Sequence, residues 1–560
     1  MSAKINAWWV GGARGMWDQG LLMDLLDGDL WPVGMEFEQH MEPPPLWDGT
    51  VIVGSGTCLH HHPDQAATVE RIGQYPWALF CLTSDESRQL NRHQIKCPRL
   101  VTWQQYTTPK YKAHRQMLLG WPADCRPILL PMLRLPLAER PLRWAFAGQI
   151  THRVRDDMAA NLMAAGGGEM HSSPGFGQGL GREDYYRLLT QARIAPCPTG
   201  PVHPDSFRLY EALEAGCLPV CSAHAPGGPQ SYEYWPWVLG SPPPFPVVEQ
   251  WSEFKDIFDR YQDDILLQRD ANKATAWWLG YKRQVALDMV DDVALLSGKQ
   301  PTQHPVTVLM PTSPIGRHPS AELIKDSIRK IRAYPELQGA EIIIMVDGLR
   351  DEQSHYAFAY EEYKRRLIEH CNWDYEFQGC LPLIFDEHTH QANMTRKALT
   401  LVRSPYVFFV EHDTWPDADI PWDKFFLAME NEQVKCIRLH IFHEVLEVHR
   451  HLYDTEKQVI ADVPLIKTLQ WSQRPHLACT SWYRWVIKEH FPLDAKTMIE
   501  DRMYKFTANA REMWNGWEPY NIWIYAPEGD MTRSRSDDGR QDDPKYPMDF
   551  GTVKRRRRVK

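Results

Sequence analysis

Three apolar runs in the second half of the chain each end in a polar or acidic group, and this pattern restricts the fold more than any other feature. "VTVLMPTSP" begins at Val306 and closes on Thr312 and Ser313, "EIIIMVDG" closes on Asp347, and "YVFFVEHDTWP" runs from Tyr406 into Glu411, His412 and Asp413. Short apolar runs bounded by turn residues read as strands buried on both faces. Between them, "SAELIKDSIRKIRAY", with Ser320 as N-cap, and "QANMTRKALTLVRS" carry apolar residues at helical spacing. Strands alternating with helices predict a parallel sheet, and such sheets bind ligands beyond the carboxyl ends of their strands. Thr312, Ser313, Asp347, Glu411 and Asp413 are therefore expected to converge.

Carboxylates at the end of a buried strand need a partner. Mg²⁺ and Mn²⁺ take oxygen ligands, usually one or two carboxylates plus substrate phosphates. Such a cation would join the acids to a diphosphate that they alone would repel, and would neutralise the charge that develops as the diphosphate leaves. The structural alternative is that Glu411 and Asp413 cap a turn continued by "TWPDAD". A second acidic pair, Glu500 and Asp501 in "KTMIEDRMYKF", follows apolar Met498 and Ile499 and precedes a helix-like run. Acids are favoured at a helix N-terminus by its dipole, and a carboxylate so placed is also suited to take a proton from a hydroxyl.

Taken together, these stretches resemble the nucleotide-binding half of a family 2 glycosyltransferase with the GT-A fold. The resemblance implies that Asp347 holds the nucleoside and that Glu411 and Asp413 occupy the D-x-D positions for metal and sugar diphosphate, with Glu as the first acid. It implies Thr312 and Ser313 beside the nucleotide sugar, Asp501 as general base with Glu500 next to it, and Mn²⁺ or Mg²⁺ as cofactor. His388, His390 and Gln391 are weaker candidates for reaching the donor, and Trp514 and Trp517 in "MWNGWEP" for a stacking wall.

The first half carries a different signature. "SFRLYEALEAGCLPVCS" opens with Ser206 as N-cap, runs as a helix through Arg208, Glu211 and Glu214, and passes Gly216 into the strand "CLPVCS". A spacing of three sets those charges near one face. Arg can hold a phosphate bidentately and Glu can accept ribose hydroxyls, while the bland alternative is an intrahelical ion pair of little worth. "PCPTGPVHPDSFRLYEALEAGCLPV" and "WAFAGQITHRVR" resemble the donor-binding half of exostosin-type glycosyltransferases, which have the GT-B architecture. This implies Arg153 or Arg155 on the diphosphate, Arg208 and Glu211 on the nucleotide sugar, and no metal for this module. "WWVGGARGMWDQG", "VIVGSG" and "WALFCLTSDE" read as an α/β domain consistent with the acceptor side. Gly11, Gly12 and Gly15 do not form G-x-G-x-x-G, so no dinucleotide fingerprint is present. Asp18 and the run His60, His61, His62 are candidates for the base of this half.

A polar seam, "SGKQPTQHP", separates the halves near residue 300 of the 560. The expected fold is α/β throughout. A GT-B-like pair of Rossmann-type domains (1–138 on the acceptor side, 139–300 on the donor side) is followed by a GT-A-like domain over 301–545 and a basic tail, "KRRRR", within 546–560. Hydrophobic content of 43% and charged content of 24% are those of a globular chain. Eleven scattered cysteines without a CxxC pair signal neither a disulfide framework nor a zinc site. A net charge of -10 argues against a surface built for polyanions, and no run approaches the roughly 18 apolar residues of a membrane span. The expectation is a cytoplasmic enzyme of a bacterium or a phage-infected cell, moving hexosyl or pentosyl groups from nucleotide-sugar donors to a hydroxyl of a glycan, a protein or modified DNA, with no membrane partner. Two alternatives are a phage-type DNA glycosyltransferase acting on hydroxylated bases and a catalytically silent carbohydrate-binding scaffold. Donor sugar, acceptor and linkage depend on pocket shape, which motifs do not encode.

Overall fold

The computed structural model describes residues 3–12, 14–32, 34–56, 59, 65–84, 95–175, 178–430, 433–509 and 517–537. His60, His61, His62, Trp514 and the basic segment 546–560 lie outside the described residues. The chain is a mixed α/β protein with parallel, Rossmann-like sheets, and it divides into two compact units, Met1–Gln303 and His304–Lys560.

The first unit contains two parallel sheets. One is built from β1 (Ala3–Trp9), β2 (Met35–His40), β3 (Thr50–Ser55), β4 (Ala78–Thr83), β5 (Leu100–Gln104) and β6 (Arg115–Gln116), in the order β2-β1-β3-β4-β5-β6. Every residue of β3 and β4 is buried, as strands covered on both faces require. The other comprises β7 (Leu142–Gly148), β8 (Glu169–Ser172), β9 (Ala192–Cys197), β10 (Leu218–Ser222) and β11 (Val247–Val248), in the order β11-β10-β9-β7-β8. Its core gathers Trp144, Phe146, Met158, Leu162 and Trp251. The helix Asp264–Ser297 starts at Asp263, whose carboxylate caps the amides of Ile265 and Leu266, and stops at Gly298 in the left-handed region, φ 74°. Along its length Trp278 bonds Glu214 beside the second sheet, and Asp292 accepts from Trp103 of β5 in the first. One helix thus clamps both sheets of this unit.

Among its described residues the second unit forms a nine-stranded sheet and a separate two-stranded one. Its strands are β12 (Val306–Thr312), β13 (Glu341–Val346), β14 (Cys380–Ile384), β15 (Tyr406–Phe409), β17 (Cys436–Arg438), β18 (Tyr453–Ile460), β19 (Val463–Thr468), β20 (His476–Cys479) and β21 (Ile522–Tyr525), ordered β14-β13-β12-β15-β20-β17-β21-β19-β18. β16 (Thr414–Pro416) and β22 (Ser534–Ser536) pair apart from it. The first four strands are parallel, and β20 runs antiparallel to β15 with Phe409 opposite His476. That reversal has a consequence for the site: the segment entering β20 lies at the same sheet edge as the turn leaving β15.

No helix among the described residues is long and apolar enough to cross a membrane. The ten described cysteines are all free.

Candidate functional site

The carboxyl edge of the second unit's parallel strands assembles most of the acids read from the sequence. Asp347 follows β13 and is buried. Its Oδ1 accepts the amides of Thr389 at 2.7 Å and Gly348 at 2.9 Å, the His390 amide reaches both oxygens at 3.3 and 3.2 Å, and His388 Nδ1 lies 3.0 Å from Oδ2. Asp347 therefore anchors the loop over 387–390 with its own lone pairs, and any nucleoside contact would add to that role. Gly348 allows this closure, because a Cβ there would meet the Glu387 carbonyl and the His388 amide. Thr312 is buried at the end of β12 with its hydroxyl 3.1 Å from that of Tyr363, whereas Ser313 is exposed.

His390 has a backbone of φ 67°, ψ 159°, a region that is nearly glycine-only. Its amide is fixed by Asp347 and its Nδ1 accepts the Gln391 amide at 3.0 Å, so the strain is held from both sides. Burial lowers the pKa of this imidazole. His388 and Arg350 add to the shift, while Asp347 and Asp501 oppose it. The helix Gln391–Leu399 begins at once, and Gln391 is the residue that motif reading undervalued. Its amide nitrogen donates to Glu411 Oε1 at 3.3 Å and to Gln473 Oε1 at 2.9 Å, and its Oε1 accepts the Ile499 amide at 3.1 Å. Gln473 in turn donates its backbone amide to Glu500 Oε2 at 3.0 Å.

Glu411 and Asp413 sit half-buried in the turn between β15 and β16. The intervening His412 is buried and faces the other way, its Nδ1 3.3 Å from the Pro311 carbonyl. The Asp413 side chain has no protein donor among the described residues, although its backbone carbonyl accepts the Asp537 amide at 2.8 Å. Glu500 is half-buried and Asp501 exposed in the first turn of the helix Ile499–Asn509. Among the described residues no group of three or more His, Cys, Asp or Glu side chains stands ready to hold a metal. Two carboxylates on one turn still match the donor set that a hard cation completes with phosphate oxygens. Trp517 does not offer a stacking face: it is 6% exposed and its indole nitrogen donates to the carbonyls of Thr468 and Ile522.

In the first unit the corresponding side chains are committed to protein partners. Arg155 is buried and donates to the Thr199 carbonyl through Nε and Nη2 and to the Gln149 carbonyl at 2.9 Å, tying the loop after β7 to the loop after β9. Arg153, two residues earlier in the same helix, is exposed. Arg208 donates to the Ala147 carbonyl at 3.0 Å, lies 5.0 Å over the Phe146 ring, and fills the space that a Cβ on Gly148 would need. Glu211 accepts the hydroxyls of Tyr185 at 2.7 Å and Tyr186 at 3.1 Å, with Arg182 at 3.3 Å. Glu214 accepts from Arg126 and Trp278, each at 2.7 Å, and pairs with Lys282, whose ammonium burial lowers to about 8. The spacing of three does not bring Arg208, Glu211 and Glu214 to one ligand, because the helix Phe207–Glu214 buries its last six residues and sends each charge to a different neighbour. Ser206 precedes that helix but its side chain caps no amide. Asp18, an expected base, is 1% exposed and accepts the Thr83 hydroxyl at 2.9 Å.

Residues 178–294 match the family described as the RXYLT1 C-terminal domain, a glycosyltransferase family. No curated protein matches the chain in sequence. Among solved structures, the chain is matched to TarS of S. aureus, at 11% identity with 41% of this chain and 36% of that one covered, TM-score 0.27. Another is the mannosyltransferase PcManGT from Pyrobaculum calidifontis in complex with GDP-Man and Mn²⁺, at 17% identity with 41% and 59% covered, TM-score 0.25. A third is the bifunctional IspDF from Campylobacter jejuni, at 11% identity with 41% and 51% covered, TM-score 0.20. The chain thus spans between 36% and 59% of the length of these three structures.

Proposed function

We propose that the chain is a nucleotide-sugar-dependent glycosyltransferase whose second unit is a GT-A-like, metal-assisted module and whose first unit is a GT-B-like, exostosin-type module. The observation that carries the reading is the convergence of Asp347, Glu411 and Glu500 around His390 and Gln391 at the carboxyl ends of the parallel strands of the second unit's mixed sheet, with Asp413 and Asp501 next to them in the chain. The family match over residues 178–294 supports the same class for the first unit.

In this reading the donor's diphosphate lies against the turn after β15. Glu411 and Asp413 would hold Mn²⁺ or Mg²⁺, which supplies the positive charge that a departing nucleoside diphosphate needs. Asp501, exposed at the helix start, accepts the proton of an acceptor hydroxyl as its oxygen bonds to the anomeric carbon and the bond from that carbon to the diphosphate breaks. Asp347 keeps the loop over 387–390 closed beside the nucleoside. The acceptor is a hydroxyl-bearing glycan, protein or modified base.

The test is hydrolysis of UDP- and GDP-sugars by the full chain with and without Mn²⁺, repeated with glycan, protein and hydroxymethylated DNA acceptors. Metal-stimulated release of the nucleoside diphosphate is expected. A folded protein that neither binds nor hydrolyses any donor would leave the carbohydrate-binding scaffold standing instead.

A further inference from the structure

We propose that Gln391 is a positioning residue that sets the distance between the metal-turn acid and the helix carrying the general base. The proposal deepens the reading above and rests on it. Gln391 is 4% exposed, and its single amide group uses both of its chemical functions on the site. The nitrogen bridges Glu411 Oε1 and Gln473 Oε1, and the oxygen receives the Ile499 amide, the first residue of the helix that presents Glu500 and Asp501. Gln473 closes the ring by donating to Glu500 Oε2. Four segments far apart in the chain are joined: the helix start at 391, the turn after β15, the entry to β20 and the helix start at 499.

The chemistry of the amide explains why this residue suits the place. A cation there would neutralise Glu411 and weaken its pull on a metal. A carboxylate would repel both acids and could not donate to them, and an apolar side chain would leave Glu411, Gln473 and the Ile499 amide each short of a partner. A neutral amide both donates and accepts, so it fixes two acidic elements without changing their charge. Its own position is over-determined, since the preceding His390 is held in its strained conformation by Asp347 and returns its Nδ1 to the Gln391 amide. A residue so held transmits geometry, and misplacement of about 1 Å costs roughly 100-fold in rate.

The experiment compares the full-length wild type with Gln391→Met, which keeps size and removes the hydrogen bonds. Steady-state transfer, Mn²⁺ affinity by electron paramagnetic resonance titration, and urea unfolding are measured on both. The expected result is a fall in kcat of about 10- to 100-fold, with donor KM and Mn²⁺ affinity within about threefold of wild type. An unchanged kcat, or a loss that only tracks the folded fraction, overturns the proposal. A double-mutant cycle of Gln391→Met with Gln473→Met, read in the unfolding equilibrium, should show at least about fivefold coupling. Coupling under about twofold overturns the positioning role whatever the activity. Absence of donor turnover and Mn²⁺ binding in the wild type itself would instead strike the proposed function.

Discussion

The two units differ in how many of their charged motif residues the protein itself occupies. In the first, Arg155, Arg208, Glu211 and Glu214 all bond carbonyls, hydroxyls or buried cations of the protein itself. In the second, Asp347, Glu411 and Glu500 are bonded likewise, whereas Asp413 is half-buried and Asp501 exposed, and neither of these two side chains has a hydrogen-bond donor among the described residues. Asp347 and Asp413 both follow parallel strands, so location alone does not separate a ligand-binding charge from one that holds loops. The hydrogen bonds do, because a charge already paired within the protein must give up that partner to take a ligand, whereas a carboxylate without one has only water to displace.

The largest test of this contrast is Asp413→Ala. It should lower metal-dependent turnover on the order of 10⁴-fold while the fold persists, since a partly exposed turn carboxylate contributes little packing. Chelation with EDTA should reproduce that loss and leave donor binding by the first unit intact. Retained metal-dependent transfer in folded Asp413→Ala protein would remove the distinction between the units. Next in size is Asp501→Asn, which preserves shape but accepts no proton, so kcat should fall roughly 10²- to 10³-fold with donor affinity nearly unchanged. An unaltered rate would assign the base elsewhere.

A third test uses acid. Burial raises Asp24 to about 6 and Asp205 to about 7, against 3.8 for the ordinary side chain. The folded first unit therefore holds protons that its unfolded form releases above about pH 4, and its stability falls as pH rises from about 4 to about 7. Burial lowers His318 to about 3 and His476 to about 4, against 6.5. Here the unfolded form takes protons that the folded one refuses, so the second unit loses stability as pH falls from about 6.5 towards 4. Each group contributes up to about 1.4 kcal/mol per pH unit within its window. Calorimetry between pH 4.5 and 6.5 should show transitions that move in opposite directions, and parallel movement would refute the asymmetry.

The smallest expected effect is at His390. Replacing it by glycine relieves a conformation that costs about 1–3 kcal/mol but removes the acceptor for the Gln391 amide and loosens the unfolded chain. Urea midpoints should place the His390→Gly protein within about 1 kcal/mol of wild type. A loss above about 2 kcal/mol would show that the imidazole chiefly holds the fold.

Much of the architecture was legible because burial on both faces leaves a plain mark. "VTVLMP", "EIIIMV" and "YVFFV" became β12, β13 and β15, and the polar "SGKQPTQHP" spans the junction of Gln303 and His304. Boundaries shifted where short-range chemistry decided: the helix expected after Ser320 starts at Glu322, and the acids expected at a strand end lie in the turn after Phe409. Gln391 was legible only as a weak candidate for reaching the donor, and Gln473 not at all, because neutral amides are common and form no motif; their importance lies in whom they touch. Tyr185 and Tyr186 were equally silent although they hold Glu211.

The sequence alone determined the alternation of strand and helix, the two-part division and the identity of the acids that follow the strands, since these depend on periodicity and composition within a few residues of one another. Only the tertiary structure decided that Glu211 faces tyrosines while the Asp413 side chain faces no donor among the described residues, and that residues 391, 411, 473 and 500 meet. Those outcomes rest on contacts between segments up to 109 positions apart, a separation that follows from the numbers of Gln391 and Glu500. No local pattern encodes them, because the free energy of a buried polar group is fixed by the partner that folding brings to it.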